Sequence, residues 1–134
     1  MYVIDRGGVE TYDGRCDDVV YLMTDVERLV EGGTTVVMTD RNAVLDISEF
    51  TTDTNRLDDL IDWPLMRATM WSNTDDQPDR KERRMAECLI HARIPWEAFT
   101  AVTAKTKGCA RQAEETLTTV GVELPVLVRP KWYF

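Results

Sequence analysis

The chain has 134 residues, of which 43% are apolar, and this is enough for one domain with a modest core. No apolar stretch approaches the length that crosses a bilayer. Charged residues, namely Asp5, Arg6, Glu10 and Asp13, occupy the region where a signal peptide would need an apolar core. We therefore expect a cytoplasmic protein of one domain with no membrane partner.

The charge balance argues against a generic nucleic-acid binder. Twenty-four acidic residues against 16 basic ones give a net charge of -8, which repels phosphate. Any DNA binding would have to come from a local arginine cluster acting against the overall field. The acid-rich, lysine-poor composition is similar to that of proteins from salt-loving archaea, where high ionic strength screens self-repulsion.

The cysteines indicate neither a disulfide framework nor a metal site. Cys16, Cys88 and Cys109 are odd in number and widely spaced, so we expect reduced thiols. Cys88 and His91 could be two ligands of one metal, but His91 is the only histidine and zinc needs three or four protein ligands. The sequence therefore predicts no metal.

The first part of the chain alternates short β-prone runs with helical segments. Thr24 is expected to cap the first helix, Gly32 and Gly33 to end it, and Thr39-Asp40 to cap the second. In chain order, we predict a strand at 2–5, a strand at 19–23, a helix at 25–31, a strand at 35–38 and a helix at 41–50.

The second part begins with a long, partly helical excursion at 51–80, rich in Asp and Thr. We then predict a strand at 85–93, a weakly β-prone segment at 98–104, a helix at 109–119 closed by Gly121, and a last strand at 124–128. The result is a mixed domain without a regular βαβ period, and it contains neither a GxGxxG nor a P-loop motif.

The most specific stretch runs from Arg80 to Glu97 and places one carboxylate in an otherwise apolar strand. A basic segment leads into Ala86-Glu87, and a buried carboxylate there would be costly without a partner. Two alternatives follow. Either Arg84 or Arg93 forms an ion pair with Glu87, or Glu87 faces a cleft.

This stretch resembles the corresponding segment of DarT-type ADP-ribosyltransferases, in which a basic run precedes Ala-Glu and is followed by His and Pro-Trp-Glu. The likeness covers essentially the whole chain. The further segments that resemble the same family, in the same order, are residues 1–7, 19–22, 25–28, 39–43, 61–66 and 126–134.

The resemblance implies an α+β, ADP-ribosyltransferase-like fold with a central, mostly antiparallel split sheet and flanking helices, incomplete at the amino terminus. Residues 1–134 would be the carboxy-terminal part of the domain. The implied activity is NAD-dependent ADP-ribosylation of thymine in single-stranded DNA by a toxin, with a macrodomain antitoxin of the DarG type as partner and NAD as co-substrate.

By the same resemblance, Glu87 is the catalytic carboxylate. Breaking the bond between nicotinamide and ribose develops oxocarbenium character on the sugar, and a nearby carboxylate lowers that barrier. The thymine nitrogen must lose a proton, and in the family an upstream arginine, absent here, assists. Asn42 stands where some relatives carry a histidine.

The segment between Thr39 and Glu87 would be the family's substrate-recognising loop. Its cationic and aromatic side chains are of the kind that bind single-stranded DNA. For each side chain alone, a solvated surface charge or an aromatic residue of the core is about as good an explanation. The candidates are Arg67, Trp71, Arg80, Lys81, Arg83 and Arg84. Trp63, beside Pro64, is expected in the core.

Relatives of this family also carry an amino-terminal part with a His-containing NAD-binding element, so most cofactor-binding residues would lie outside this chain. We therefore expect residues 1–134 alone to be inactive. Either the start of the gene is assigned too late, or the gene is broken. The alternative is a non-catalytic remnant or a fragment that binds a partner. An in-frame upstream extension in the genome would favour the enzyme.

Overall fold

The computed structural model describes Ile4 and residues 10–133. Of the strand expected at 2–5, Ile4 is helical and the other residues lie outside the described part. The chain divides into two compact units, one formed by Met1–Thr24 with Pro95–Phe134 and the other by Asp25–Ile94. The single domain expected from the length stays a prediction.

Residues 10–133 form six strands and five α-helices. The strands are β1 (Val20–Met23), β2 (Val36–Thr39), β3 (Phe50–Thr51), β4 (Cys88–Ile90), β5 (Ala101–Ala104) and β6 (Val126–Val128). The helices are α1 (Val26–Glu31), α2 (Leu57–Leu60), α3 (Trp63–Arg67), α4 (Arg80–Arg83) and α5 (Lys107–Thr119).

The first unit is built around β5, whose four residues are all buried. β1 pairs with it antiparallel, with Val20 opposite Ala104, and β6 pairs with it parallel, with Val102 opposite Val126. A parallel pair needs a long crossover, and α5 supplies it by packing against both β5 and β6. Strand β5 is therefore the centre of this unit's core.

The carboxy-terminal segment is fixed to this sheet by Tyr133. Its hydroxyl donates a hydrogen bond of 2.8 Å to the main-chain oxygen of Thr103, and its ring lies 4.8 Å from that of Tyr21. Only 7% of Tyr133 is exposed. A tyrosine can be buried here because its hydroxyl has an acceptor.

The second unit is built around β2. It pairs antiparallel with β3, where Met38 is opposite Thr51, and with β4, where Val36 is opposite Ile90. Helix α1 packs against β2 and buries Leu29. Its N-cap is Asp25, which accepts a hydrogen bond of 2.7 Å from the Arg28 amide, so the predicted cap at Thr24 was wrong by one residue.

Most of the predicted elements are present in both units. The strands at 19–23, 35–38 and 124–128, the helices at 25–31 and 109–119, and the β-prone segment at 98–104 are confirmed with small shifts of their ends. The excursion at 51–80 is partly helical, as predicted.

Two predicted elements were wrong. Residues 41–49 form turns rather than a helix, and Phe50 begins a strand. The strand predicted at 85–93 is only three residues long, because Met85 and Ala86 still donate to the carbonyls of Glu82 and Arg83 in the turn after α4. At its other end Ala92 adopts a φ of 65°, which interrupts extended backbone.

The α+β class is confirmed, with two three-stranded sheets in which three of the four strand pairings are antiparallel. Within the described residues, no helix combines the length and apolar character that membrane crossing requires.

Candidate active site

Glu87 lies immediately before β4, beside the end of β2 in the second unit. The amide of Thr39 donates to the Glu87 carbonyl at 2.9 Å, and the amide of Glu87 donates to the Thr39 hydroxyl oxygen at 3.0 Å. Thr39 is completely buried. The main chain of Glu87 is thus held by the backbone and the side chain of one core residue.

After β2 the chain enters a compact turn, residues 40–49, that is organised by its own polar side chains. Asp40 accepts a hydrogen bond of 2.9 Å from the Glu49 amide. Asn42 accepts one of 3.0 Å from the Val44 amide, and Ser48 donates one of 2.6 Å to the Asn42 carbonyl. Such side-chain bonds to nearby backbone compete with a helix, which explains why none forms here.

The turn presents one main-chain N–H to the Glu87 carboxylate. The amide of Ala43 donates to Glu87 Oε2 at 2.9 Å, and the Glu87 side chain is exposed. Among the described residues, which include Arg84 and Arg93, no ion pair involves Glu87. The structure thus contradicts the ion-pair alternative within the described residues, and the alternative that Glu87 faces a cleft stays a prediction.

An ion-pair network lies in the same unit. Arg41 pairs with Asp40 at 2.8 Å and with Asp79 at 3.7 Å. Arg83 pairs with Asp79 at 3.1 Å and also with Asp62. Because Asp62 caps α3, Arg83 connects α4 to the start of that helix. Its guanidinium therefore has a structural role, whatever else it binds.

The other predicted DNA-binding residues differ in how exposed they are and in whether they form hydrogen bonds within the protein. Arg80 donates to Gln77 at 2.9 Å and to the Met70 carbonyl at 2.8 Å. Arg84 is partly buried, and its Nε has no hydrogen-bond partner among the described residues. Arg67 is exposed, and 37% of Trp71 is exposed. Lys81 is also exposed.

Trp63 is half-buried, and its indole N–H donates to Asp58 at 3.1 Å. The neighbouring buried residue of α3 is Leu65, which is 4% exposed. Over the described part of the chain, no three His, Cys, Asp or Glu side chains come close enough together to hold a metal.

Reasoning from the sequence did not find Thr39, Ala43 and Ser48 as parts of this site. The segment 39–43 belongs to the family resemblance, but the residue types of Thr39-Asp40 predict a helix cap. The Asp, Asn and Ser residues of 40–48 were the available signal, because these residue types favour turns for the same reason that they favour caps.

Two solved structures define the class of this fold. Thermus sp. 2.9 DarT in complex with NAD+ superposes with a TM-score of 0.90 at 24% identity, covering 99% of this chain and 66% of that chain. The structure of the same protein in complex with ADP-ribosylated ssDNA gives 0.90 and 24%, covering 99% of this chain and 62% of that chain. The described residues therefore have the same fold as the matching part of the Thermus sp. 2.9 DarT chain.

The family follows from the sequence comparison. A family model described as "ssDNA thymidine ADP-ribosyltransferase, DarT" matches residues 1–134, so the chain belongs to the DarT family and the resemblance of its motifs is confirmed. A Mycobacterium tuberculosis protein named "DNA ADP-ribosyl transferase" is 26% identical over 134 residues, which are 100% of this chain and 58% of the relative. The chain thus spans somewhat more than half of that relative's length.

Proposed function

We propose that this chain is the carboxy-terminal part of an enzyme that transfers ADP-ribose from NAD to thymine in single-stranded DNA, with Glu87 as its catalytic carboxylate. The observation that carries the proposal is the family match over the whole chain, in which Glu87 of the Ala86-Glu87 motif is exposed and oriented by a main-chain amide. The named complexes of Thermus sp. 2.9 DarT with NAD+ and with ADP-ribosylated ssDNA support the choice of reactants.

In the proposed reaction, the bond between the nicotinamide nitrogen and ribose C1′ breaks, and nicotinamide leaves with the bonding electrons. Glu87 stabilises the positive charge that develops on the ribose. A thymine ring nitrogen then bonds to C1′ and gives up its proton to solvent or a base. The products are ADP-ribosylated thymine, nicotinamide and one proton.

The exposed side chains of the 39–87 segment would contact the DNA. Trp71 offers a stacking surface for a base, and Arg67 offers a cation for phosphate. Arg80, Arg83 and Arg84 lie in or beside α4, and the internal contacts of Arg80 and Arg83 hold the segment that presents those groups. We propose that Arg80, Arg83 and Arg84 also add positive potential for the strand.

The chain covers 58% of the M. tuberculosis relative and 66% of the NAD+-bound Thermus chain, so further parts of the NAD site are proposed to lie in an amino-terminal part. Residues 1–134 alone would then be inactive. A catalytically silent fragment that binds a partner is the second candidate, and the same partial coverage supports it.

We further propose that the whole protein is a toxin of the cytoplasm, controlled by a macrodomain antitoxin of the DarG type that removes ADP-ribose. The acid-rich composition, with a net charge of -8, suits the salt-rich cytoplasm of a salt-loving archaeon.

The test uses the genomic form, defined as the longest open reading frame that contains residues 1–134, beside residues 1–134 alone. Each is incubated with NAD and a thymine-containing single-stranded oligonucleotide, and the DNA is analysed by mass spectrometry. Controls are a thymine-free strand and the same sequence as a duplex, which should be a poor acceptor because its bases are stacked and paired.

The expected result is the mass of one added ADP-ribose on the thymine-containing single strand, produced by the genomic form. Labelling of the thymine-free strand or equal labelling of the duplex would contradict the proposed acceptor. Labelling by residues 1–134 alone as fast as by an extended genomic form would show that the amino-terminal part is dispensable. No labelling by the genomic form would favour the fragment that binds a partner.

A further inference from the structure

We propose that Ser48 and Thr39 are positioning residues for the Glu87 carboxylate, an inference that rests on the proposed catalytic role of Glu87. Neither hydroxyl is proposed to touch a substrate. Both act through the 40–49 turn, which carries the amide that binds the carboxylate.

Ser48 and Glu87 bind opposite ends of the same peptide unit. The Asn42–Ala43 peptide accepts a hydrogen bond of 2.6 Å from the Ser48 hydroxyl at its C=O and donates one of 2.9 Å to Glu87 Oε2 through its N–H. The Leu45 amide binds the same carbonyl at 3.1 Å. Because a peptide is planar, fixing its C=O also fixes the direction of its N–H.

The alternative orientation of this peptide would be unfavourable beside Glu87. If the plane turned over, the carbonyl oxygen would approach the carboxylate, and two negative ends would face each other. The Ser48 bond opposes that rotation and also polarises the peptide, which strengthens the hydrogen bond at its N–H. A hydrogen bond to a carboxylate is of the stronger, charge-assisted kind, so it can orient Glu87.

Thr39 fixes the other end of the arrangement. Its hydroxyl donates to the Arg41 carbonyl at 2.6 Å, at the start of the turn, and accepts from the Glu87 amide at 3.0 Å. A single buried hydroxyl therefore joins the turn to the main chain of Glu87. The Thr39 hydroxyl thereby fixes the position of the turn relative to Glu87, although Ala43 and Glu87 are 44 positions apart in the sequence.

The first experiment measures the proton NMR shift of the Ala43 amide in residues 1–134, in a double-mutant cycle. Glu87→Gln should move this resonance upfield, because the acceptor loses its charge. We expect that displacement to shrink at least twofold when it is measured in Ser48→Ala or Thr39→Val. It should be retained in Ser48→Thr, in Thr39→Ser and in the exposed control Ser72→Ala.

The second experiment measures DNA labelling by the genomic form. Ser48→Ala should lower kcat about tenfold with KM for NAD within about twofold, since small misplacement of a catalytic group acts on the chemical step. The loss should disappear in the Glu87→Gln background, because residues that act as one unit are not additive. Ser48→Thr should restore kcat.

An undiminished Ala43 displacement in Ser48→Ala would overturn the inference, as would a loss of kcat that is unchanged by Glu87→Gln. If Thr39→Val does not fold, the Ser48 variants test the inference. Ser48 is only partly buried, so its substitution should not prevent folding. Failure of the proposed function has a different signature. The displacement of the Ala43 amide resonance by Glu87→Gln would still shrink in Ser48→Ala, but neither the unmodified genomic form nor any variant would label DNA.

Discussion

The main-chain amide of Ala43 donates a hydrogen bond of 2.9 Å to Glu87 Oε2, and this is the contact that defines the candidate site. The donor is neutral, so the carboxylate is oriented without a cation to neutralise it. A carboxylate held in this way keeps its negative charge available for positive charge that develops on a bound sugar. An ion pair with Arg84 or Arg93 would have reduced that effect.

Arg83, which is half-buried, and Arg67, which is exposed, should respond differently to truncation. Arg83 binds Asp79 at 3.1 Å and also Asp62, so Arg83→Ala should lower the free energy of unfolding by about 1 kcal/mol or more. Arg67 is exposed, and Arg67→Ala should change that free energy by less than about 0.5 kcal/mol.

Urea denaturation measures the free energy of unfolding, and fluorescence anisotropy with a single-stranded oligonucleotide measures DNA affinity. Arg67→Ala should weaken that affinity and reduce its dependence on salt. Unchanged DNA binding in Arg67→Ala would remove Arg67 from the proposed interface. Unchanged stability in Arg83→Ala would mean that its ion pairs contribute nothing to the unit.

The buried hydroxyl of Tyr133 should contribute to the stability of the first unit. Tyr133→Phe removes a bond of 2.8 Å and leaves the Thr103 carbonyl with one partner fewer in the core, at a cost of about 1–2 kcal/mol. The matched control is Tyr12→Phe, which removes a longer bond of 3.3 Å to the Arg15 carbonyl at the surface.

Urea midpoints for both tyrosine variants provide the test. We expect the midpoint of Tyr133→Phe to fall clearly below that of the unmodified chain and that of Tyr12→Phe to stay close to it. Equal midpoints for the two variants would show that the Tyr133 hydroxyl does not anchor the carboxy-terminal segment.

The Lys105–Asp17 pair should give the first unit a pH dependence of known sign. The hydrogen bond from Lys105, at 2.7 Å, holds the pKa of Asp17 below its ordinary value. A lowered carboxyl pKa contributes stability above the pKa of the unfolded chain, and that contribution is lost as the pH falls through the folded pKa. Because both side chains are partly exposed, the effect should be small.

Carbon-13 NMR of the Asp17 carboxyl group reports its titration directly. Lys105→Met should raise the midpoint toward the ordinary aspartate value, whereas Lys107→Met, on the exposed first turn of α5, should leave it unchanged. An Asp17 midpoint that does not respond to Lys105→Met would show that the pair is not formed in solution.

The sequence predicted most of the fold because the hydrophobic pattern and the caps agreed with the final packing. The apolar run at 19–23 became β1, and the helix before Gly121 became α5 with Thr106 as its cap. The helix predicted at 41–50 failed because Asp40, Asn42 and Ser48 bind nearby main chain instead of leaving it to helical hydrogen bonds.

The candidate site was only partly predictable, for a reason of geometry. Glu87 could be found because it belongs to a recognisable local motif. Its partner Ala43 contributes a backbone N–H, which any residue other than proline supplies, so nothing in the residue type at that position indicates the contact. The roles of Thr39 and Ser48 depend on the pairing of β2 with β4, which brings distant segments together.

Glu87 is proposed to stabilise charge in the transition state, and the rate of thymine ADP-ribosylation by Glu87→Gln in the genomic form tests this role. The substitution keeps size and a hydrogen-bond acceptor for Ala43 but removes the charge, so kcat should fall by about 10²-fold or more while the fold is retained. Glu115→Gln, on the exposed face of α5, should keep the full rate. A Glu87→Gln variant that labels single-stranded DNA as fast as Glu115→Gln would contradict the catalytic role of Glu87.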